Sequence, residues 1–477
     1  MNRERALETL RKQRFDVVVI GGGITGAGVA LDAASRGLTV ALVEKSDFAS
    51  GTSSRSSKVI HGGLRYLKSL QFGVMIESVR ERETLLRMAP DLVRPLRILL
   101  PYDRSLGYKA ALSIYDRMAS SSRPHRRVEQ GEMRRMAPYL RTDGVRGAFQ
   151  YFDAAADDCR LVMHVLKKAV ELGAVVANYV AVAGFTSEGV EVTDSIANET
   201  FAVRGTTIVN ATGVWSDTVR QKLDTSSPRL LRASKGVHLV IDSAKLRLDA
   251  AVTIPKTSSG HYLFIAPWEG RTIIGTTDTA YDGNLDHPVA TREDMAVLLS
   301  AVDEWFPSAR VGESDILAVY AGLRSLPAST ERTYAAPRED FIERRGRMIT
   351  VAGGKLTTFR RMAMRVVDMI TSRPCVTDRL SLLSPLPETV GSALLYEEHP
   401  HTWAEIDFII RNEMPMTVTD VLARRTRIAL TANDHGRAAA SQVADRLAQH
   451  LRWSAAQREA AVTHYHEDVK EYSTCLF

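Results

Sequence analysis

The chain has 477 residues, of which 45% are hydrophobic and 25% are charged, a composition typical of an ordinary globular protein. This length predicts two or three domains, since one domain takes roughly 100–200 residues. The cysteines Cys159, Cys375 and Cys475 form no C-x-x-C pair, which argues against a disulfide scaffold, a zinc finger and a cysteine-ligated iron–sulfur domain. The formal net charge of +6 fits an anionic substrate, an anionic membrane face or simply a basic soluble protein.

The sequence also bears on location. No run of about 18 apolar residues occurs, so we predict no transmembrane helix. The first residues are charged and lack the apolar centre of a secretory signal. With unpaired cysteines, these features favour the reducing environment of the cytoplasm. We predict no metal site.

The first element along the chain is a βαβ unit. Phe15–Ile20 is an apolar, β-branched run typical of a strand buried in a parallel sheet. Ala27–Arg36 is predicted as a helix that ends before Gly37, and Thr39–Val43 as a second strand. The unit has the usual length of about 30 residues for this motif.

Further elements alternate in type. Cys159–Leu172 is predicted as a helix, and Val175–Val180 and Thr206–Asn210 as strands. Short β-rich runs between Leu230 and Ile349 indicate an inserted antiparallel sheet. A proline- and serine-bearing linker near residues 374–387 precedes a mostly helical end, where Thr417 and Asp420 are spaced as a capping box.

A glycine motif lies inside the βαβ unit. Gly21, Gly23 and Gly26 form G-x-G-x-x-G directly after the first strand and before the helix. The glycines allow a tight turn, a close approach of backbone to a pyrophosphate, and close packing of helix on strand. Glu44 ends the second strand, where an acid accepts the ribose hydroxyls and repels a 2′-phosphate. The motif predicts a dinucleotide, with FAD and NAD both open and NADP disfavoured.

Seven ordered motifs then resemble those of the FAD-dependent glycerol-3-phosphate dehydrogenases, which belong to the D-amino-acid-oxidase-like flavoprotein superfamily. They span about residues 15 to 360, and a weaker match, DVLARRTRIAL, begins at Asp420. The motifs are TSSRSSKVIHGGLRYL from Thr52, YFDAAADDCRL from Tyr151, IVNATGVW from Ile208, SKGVH from Ser234, IGTTD from Ile274, AGLRSLP from Ala321 and GGKLTT from Gly353.

The resemblance implies a fold and a domain organisation. The fold is an α/β FAD-binding Rossmann-like domain with an inserted antiparallel β-sheet substrate domain and a short C-terminal helical region. We assign residues 1–98, 150–228 and 340–375 to the FAD-binding domain, and residues 99–149 and 229–339 to the substrate domain. Residues 385–477 form the C-terminal helical domain, shorter than is usual in the family.

The resemblance also implies the site. His238, Arg324 and Lys355 are the expected catalytic residues, with His238 as base or substrate-orienting group and His61 on the flavin side; which histidine is the base stays open. Substrate binding is assigned to Arg65, Tyr66, Arg338 and the same His238, Arg324 and Lys355. The residues assigned to FAD are Gly21, Gly23, Gly26, Glu44, Thr52, Ser53, Ser54, Lys58, His61, Gly62, Gly63, Val180, Ala211, Gly213, Trp215, Gly354, Lys355, Leu356, Thr357 and Thr358.

The activity implied is oxidation of sn-glycerol 3-phosphate to dihydroxyacetone phosphate, with FAD as cofactor and a membrane quinone as the final acceptor. Alternatives are a glycerol-3-phosphate oxidase that uses O2, an amine- or amino-acid-oxidising relative, and a non-catalytic flavoprotein. We expect no nucleic acid partner. The oligomeric state stays open, with a homodimer as one alternative.

A quinone acceptor implies a peripheral contact with the inner face of the cell membrane. Arg424, Arg425 and Arg427 beside the apolar Val421, Leu422 and Ile428 form one candidate patch. The alternative is that these arginines pair with the rest of the protein, as charges near apolar residues usually do.

Overall fold

A computed structural model describes residues 1–63, 72–103, 106–119, 123–254, 256–258, 260, 262–328, 340–383, 392–396 and 398–473. The strands are β1 (Arg14–Ile20), β2 (Val40–Val43), β3 (Val59–Ile60), β4 (Val93–Tyr102), β5 (Arg126–Glu129), β6 (Gly147–Ala156), β7 (Val175–Ala177), β8 (Val180–Phe185), β9 (Gly189–Asp194), β10 (Glu199–Asn210), β11 (Leu231–Asp242), β12 (Ala251–Ile254), β13 (Leu263–Trp268), β14 (Arg271–Gly275), β15 (Thr279–Tyr281), β16 (Ile316–Pro327), β17 (Asp340–Arg345) and β18 (Met348–Gly353).

The helices are α1 (Arg3–Lys12), α2 (Ile24–Ser35), α3 (Phe72–Met88), α4 (Leu106–Ala119), α5 (Gln130–Met136), α6 (Asp158–Glu171), α7 (Ser216–Leu223), α8 (Arg292–Trp305), α9 (Phe359–Asp368), α10 (Trp403–Asn412), α11 (Ile428–Thr431), α12 (Arg437–Leu451) and α13 (Ala455–Asp468). Among the described helices, none is long and apolar enough to cross a membrane.

The first sheet contains the predicted βαβ unit. Its central strands run parallel in the order β18, β10, β1, β2 and β7, and β17, β9 and β8 extend it by antiparallel pairing. Val17–Ile20 are buried, as their continuous apolar run predicts, and so is Phe15, whereas Asp16 between them is exposed. Because parallel strands end at one edge, the loops after β2, β1, β10 and β18 lie side by side. That edge is where ligands bind in open α/β sheets.

The second sheet is largely antiparallel, as predicted, and runs in the order β15, β11, β14, β13, β12, β4, β6 and β3. Strand β16 also pairs with β11, and β5 with β6. Side chains alternate across β11, so that Val237 and Leu239 join a hydrophobic core with α8. His238 lies on the opposite face, which looks toward the first sheet's edge.

The C-terminal region is helical and packs against that same face of the second sheet. Val240, Ala318 and Tyr320 share a hydrophobic core with residues of α10–α13 and of a π-helix at Asp420–Arg425. Thr417 and Asp420 exchange the reciprocal hydrogen bonds of the predicted capping box. The predicted fold class is confirmed; the shortening of the region stays a prediction.

Two of the predicted domain boundaries cut through strands. Strands β4 and β6 pair along their whole length, from Val93 with Ala156 to Tyr102 with Gly147. The boundaries at 98/99 and 149/150 fall inside this ladder, although both strands belong to the second sheet. A continuous ladder holds its strands together, so the segments at the start of β4 and at the end of β6 go with the second sheet. The division into domains otherwise stays a prediction.

Candidate active site

A cavity of about 520 Å³ lies between the edge of the first sheet and the cavity-facing side of the second. It joins the loops after the parallel strands to the strands β11 and β16. The predicted cofactor residues that line it are Gly21, Gly23, Glu44, Thr52, Ser53, His61, Val180, Ala211, Gly213, Trp215, Gly354, Lys355, Leu356 and Thr357. The predicted catalytic residues His238, Arg324 and Lys355 also line it.

The glycine loop is tightly packed, as its motif predicts. Gly21 has a φ of +109°, and a Cβ at this position would lie 2.7 Å from the carbonyl oxygen of Ala211. A Cβ at Gly26 would lie 1.9 Å from the carbonyl oxygen of Gly21. Gly26 therefore supports the loop from behind and does not line the cavity.

Glu44 closes the cavity at the end of β2. Its carboxylate accepts hydrogen bonds from the backbone N–H of Gly22 at 2.7 Å and of Ser46 at 2.9 Å. Burial raises the pKa of Glu44 above its ordinary value, and the two backbone donors oppose that rise. At the start of α2, the backbone N–H of Ile24 already has a partner, since it donates to the Ser53 hydroxyl at 2.9 Å.

Several predicted cofactor residues support the cavity wall from outside. Lys58 is 2% exposed, and its ammonium donates to the Asp158 carboxylate at 2.8 Å and to the Ser54 carbonyl. Gly62 donates its backbone N–H to the Tyr115 hydroxyl and to Asp153, each at 3.0 Å. Three others are buried beside the lining residues without lining the cavity themselves: Ser54, Gly63 and Thr358.

Three predicted substrate residues, Arg65, Tyr66 and Arg338, lie outside the described residues. The structure brings the other three, His238, Arg324 and Lys355, to one cavity from β11, from β16 and from the loop after β18.

His238 is almost fully buried, at 3% exposure. Its Nε2 shares a hydrogen bond with the Ser57 hydroxyl at 2.8 Å, and its ring stacks on Tyr320 with centroids 4.8 Å apart. Nδ1 has no hydrogen-bond partner within the part of the chain that the structure describes. Burial, followed by the positive charges of Arg324 and Lys58, holds the pKa of His238 well below its usual range. The imidazole is therefore neutral near pH 7 and able to accept a proton.

Arg324 lies beside it, four residues along β16 from Tyr320 and on the same face. Its guanidinium donates to the Thr276 hydroxyl at 2.9 Å and to the Thr277 carbonyl at 3.3 Å, and it pairs with Asp278 at 3.5 Å. A Cβ at Gly236 would lie 2.3 Å from Nη2, so a glycine is needed for this approach. Lys355 reaches Ser78 with its ammonium at 3.2 Å.

Two residues of this site were not predicted individually. Ser57 belongs to the hydroxyl-rich turn of the first family-like motif, but its hydrogen bond to His238 depends on a pairing of distant segments. Tyr320 could have been found, because period-2 alternation along β16 puts it on the face of Arg324.

The membrane patch proposed at Arg424, Arg425 and Arg427 is wrong. Arg425 is 1% exposed and Arg427 is 2% exposed, and the apolar Val421, Leu422 and Ile428 are buried. Arg425 binds Asp47 with Nη1–Oδ2 at 2.7 Å, and Arg424 binds the same carboxylate through Nε, also at 2.7 Å. Arg427 binds Asp157 and Asp158. Acidic partners from distant parts of the chain hold these arginines inside the protein.

The lining residues fit an FAD molecule. Glu44 stands where ribose hydroxyls need an acceptor, and the loops of Gly21, Gly23 and Gly354 leave room beside the strand ends for a pyrophosphate. The buried Nε1 of Trp215 has no partner among the described residues, which leaves one donor for a ligand. Among those residues, no group of three or more His, Cys, Asp or Glu side chains could hold a metal ion.

Glu44 offers a direct test of this cofactor site. The variant Glu44→Arg removes an acceptor and introduces a cation, so we expect FAD affinity to fall about 10- to 150-fold, the loss of one charge-assisted hydrogen bond. The measurement is the fraction of FAD retained after gel filtration, read from flavin absorbance. The exposed Glu188→Arg carries the same charge change and should retain FAD; equal loss in both variants would contradict the assignment.

Comparisons with known proteins agree with this geometry. The family model described as FAD dependent oxidoreductase matches residues 16–358, and that described as the C-terminal domain of alpha-glycerophosphate oxidase matches residues 378–458. The fold and the cavity therefore define an FAD-dependent oxidoreductase, with FAD as its cofactor.

Similar proteins narrow the family. Proteins named aerobic glycerol-3-phosphate dehydrogenase are similar to this chain: that of Staphylococcus saprophyticus is 40% identical over 78% of this chain and 70% of its own. That of Staphylococcus aureus strain USA300 is 38% identical over 80% and 73%. The structure of the glycerol-3-phosphate dehydrogenase from Bacillus halodurans complexed with FAD matches with a TM-score of 0.82 and 29% identity, over 99% of this chain and 98% of that one. The chain belongs to the family of FAD-dependent glycerol-3-phosphate dehydrogenases.

Proposed function

We propose that the protein oxidises sn-glycerol 3-phosphate to dihydroxyacetone phosphate and passes the electrons to a quinone. The observation that carries this proposal is the meeting of His238, Arg324 and Lys355 at one cavity. A base and two cations in one site suit an alcohol that bears a phosphate group. The printed names of the similar proteins support the same substrate.

Each of these residues has a distinct task in the proposal. Arg324 and Lys355 bind the phosphate dianion through charge-assisted hydrogen bonds, and Arg65, Tyr66 and Arg338 are proposed to share this task. The Ser57 hydroxyl, in contact with Nε2, orients His238 at the cavity, and the neutral imidazole takes the proton of the carbon-2 hydroxyl. Bound FAD supplies the acceptor of the hydride from carbon 2.

The experiment that tests the activity also separates the acceptors. Purified protein is given glycerol 3-phosphate with a soluble quinone or dye, and then with oxygen alone while hydrogen peroxide is measured. We expect rapid turnover with the quinone and little peroxide. Fast peroxide formation would favour the oxidase, and turnover of amines instead would reject the substrate.

Arg324 gives a sharper test of the substrate. The variant Arg324→Ala should raise KM for glycerol 3-phosphate about 10- to 150-fold, because a charge-assisted contact to an anion is lost. KM for glycerol, which has no phosphate, should change far less. Arg324→Lys is the control that keeps the charge and should recover part of the affinity. Equal losses for both substrates would mean that Arg324 does not bind the phosphate.

A quinone acceptor requires contact with a membrane, and the charge distribution indicates where. Residues 94–146 contain twelve Arg and Lys against five Asp and Glu, a net charge of +7, while the rest of the chain carries −1. Arg97, Arg123, Arg126 and Arg135 are exposed in this region. We propose that this basic surface docks on anionic lipid.

The four arginines are close together. Arg97 lies opposite Phe152 in the ladder of β4 and β6. The Arg123 guanidinium carbon lies over the Phe152 ring, 5.7 Å from its centroid. Arg126 donates to Glu132 at 2.8 Å. Hydrogen bonding by Arg126 and the charges of Arg126, Arg135 and Arg97 lower the pKa of Glu132. One acid is thus shared among several cations, which leaves an excess of positive charge.

Sedimentation with vesicles tests the docking surface. Vesicles that contain phosphatidylglycerol should bind the protein at low salt and release it at high salt, since exposed charges are screened. The triple variant Arg97→Ser, Arg123→Ser and Arg135→Ser should lose about 1 kcal/mol per arginine. The control triple Arg5→Ser, Arg379→Ser and Arg411→Ser has the same net charge and should still bind; equal binding by both triples would reject this surface.

A further inference from the structure

The Ser57 hydroxyl that contacts His238 stands on a turn held by one buried carboxylate. Asp158 is fully buried and accepts hydrogen bonds from the Ser56 hydroxyl at 2.7 Å, the Ser56 N–H at 3.2 Å and the Lys58 ammonium at 2.8 Å. The residues on both sides of Ser57 are thus tied to the same side chain. The Asp158 carboxylate therefore holds the backbone that carries the Ser57 hydroxyl.

The carboxylate is in turn bound by Arg427 from the C-terminal helical region. The guanidinium of Arg427 contacts Asp158 and also Asp157, to which Nη2 donates at 2.6 Å. Both Lys58 and Arg427 have left-handed backbones, with φ of +59° and +64°. Residues other than glycine adopt this conformation at a cost, and it persists only where surrounding contacts impose it.

The same turn reaches His238 by a second route. The Tyr320 hydroxyl donates to the Ser56 carbonyl at 2.8 Å, and the Tyr320 ring is stacked on the imidazole at an interplanar angle of 10°. His238 is therefore held by Ser57 on one side and by Tyr320 on another. Both contacts depend on where Ser56 lies.

We propose that Arg427 is a positioning residue for His238: through Asp158 it fixes the Ser56–Lys58 turn, and thereby the Ser57 and Tyr320 contacts that orient the imidazole. The C-terminal helical region then helps to set the geometry of the active site. Arg427 acts through other residues, since it contacts neither His238 nor Arg324, which line the cavity. This inference rests on the proposed role of His238 as the base.

The proposal predicts which kinetic constant changes. Arg324 and Lys355 are held by other partners, Thr276 and Ser78, so phosphate binding does not depend on the turn. Proton transfer does depend on it, because a shift of about 1 Å in a catalytic group costs up to about 100-fold in rate. Loss of Arg427 should therefore lower kcat and leave KM nearly unchanged.

The test uses the FAD-loaded full chain and four variants. Arg427→Met should lower kcat for glycerol 3-phosphate about 10- to 100-fold with little change in KM, and Arg427→Lys should restore part of it. Ser56→Ala removes one hydrogen bond to Asp158, keeps all ion pairs, and should share the kcat defect. Arg424→Met is the matched control: Arg424 is also an ion-paired arginine of the C-terminal region, but it binds Asp47 and should leave kcat within about twofold.

A second readout does not depend on turnover. Hydrogen–deuterium exchange of the backbone amides of residues 52–58 should speed up in Arg427→Met and in Ser56→Ala, and stay as in the wild type in Arg424→Met. The proposal is overturned if kcat in Arg427→Met matches that in Arg424→Met, or if exchange in the turn is unchanged. A wild-type protein inactive on glycerol 3-phosphate would reject the proposed function, whereas the exchange measurement would still report on the turn.

Discussion

Replacing His238 by glutamine is expected to lower kcat for glycerol 3-phosphate about 100- to 10,000-fold, the usual contribution of a general base. Glutamine places an amide near the position of Nε2 and can keep the contact with Ser57, but it cannot take up a proton. FAD content, read from flavin absorbance, should be unchanged, and KM should change little. The exposed His450→Gln is the control, and a kcat within tenfold of the wild type in His238→Gln would remove His238 from the role of base.

The wild-type pH profile follows from the same surroundings. Burial and the charges of Arg324 and Lys58 lower the pKa of His238 well below the ordinary value of about 6.5. The free enzyme therefore keeps the neutral, proton-accepting form as pH falls from 8 through about 6.5. We expect kcat/KM to stay level over that range and to fall only at lower pH. A decrease of kcat/KM with its midpoint above about pH 6.5 would contradict the lowered pKa of His238.

The free energy of unfolding should also decrease as pH falls below about 6.5. His238, His164 and His435 are each buried, and burial lowers the pKa of each in the folded protein. In the unfolded chain they take up protons at about pH 6.5, so the unfolded state binds more protons below that value. The free energy of unfolding contributed by these groups is thus complete above about pH 6.5 and decreases as pH falls below it. Urea unfolding at several pH values measures this slope.

The parts of the fold that depend on local pattern were predicted closely. The predicted strand Phe15–Ile20 is β1 (Arg14–Ile20), and the predicted helix Ala27–Arg36 is α2 (Ile24–Ser35). Continuous apolar residues and a glycine turn are sufficient for such elements, because neighbours in sequence decide them. The glycine turn and Glu44 were predicted at the ends of these strands for the same reason and lie there, and their role toward FAD stays a prediction.

Contacts between residues far apart in the sequence were not predicted, or were predicted wrongly. The sequence RRTR beside apolar residues looks like a surface patch, and nothing nearby reveals its acidic partners. Asp157 precedes Arg427 by 270 residues and Asp47 precedes Arg425 by 378. Only the packing of the C-terminal region against the loop after β2 and the start of α6 brings these charges together. The contact of Ser57 with His238, 181 residues apart, was hidden in the same way.

The pairing around Asp47 is expected to hold the C-terminal region to the rest of the protein. Asp47 follows β2 and is fully buried; it accepts hydrogen bonds from Arg424 and Arg425 at 2.7 Å each and from the Asn178 amide at 3.1 Å. Burial alone would raise its pKa, but the charges of Arg425 and Arg424 outweigh burial and hold the pKa of Asp47 below its ordinary value. The carboxylate is therefore ionised at pH 7 and balances two buried cations.

Removing that carboxylate should have the largest effect on stability. In Asp47→Ala, Arg425 retains Glu413 and Arg424 retains Asp420, but breaking a buried ion pair by deleting one partner costs about 3–5 kcal/mol. We expect the urea midpoint to fall accordingly, and residues of α10–α13 to be cleaved first in limited proteolysis. The control Asp445→Ala breaks the solvent-exposed pair with Arg458, which is worth about 0–1 kcal/mol. If Asp47→Ala unfolds at the same urea concentration as Asp445→Ala, the ion pairs of Asp47 contribute nothing beyond the cost of burying them, and the C-terminal region is held by its apolar contacts with β11 and β16 and by its other ion pairs, such as Arg427 with Asp157.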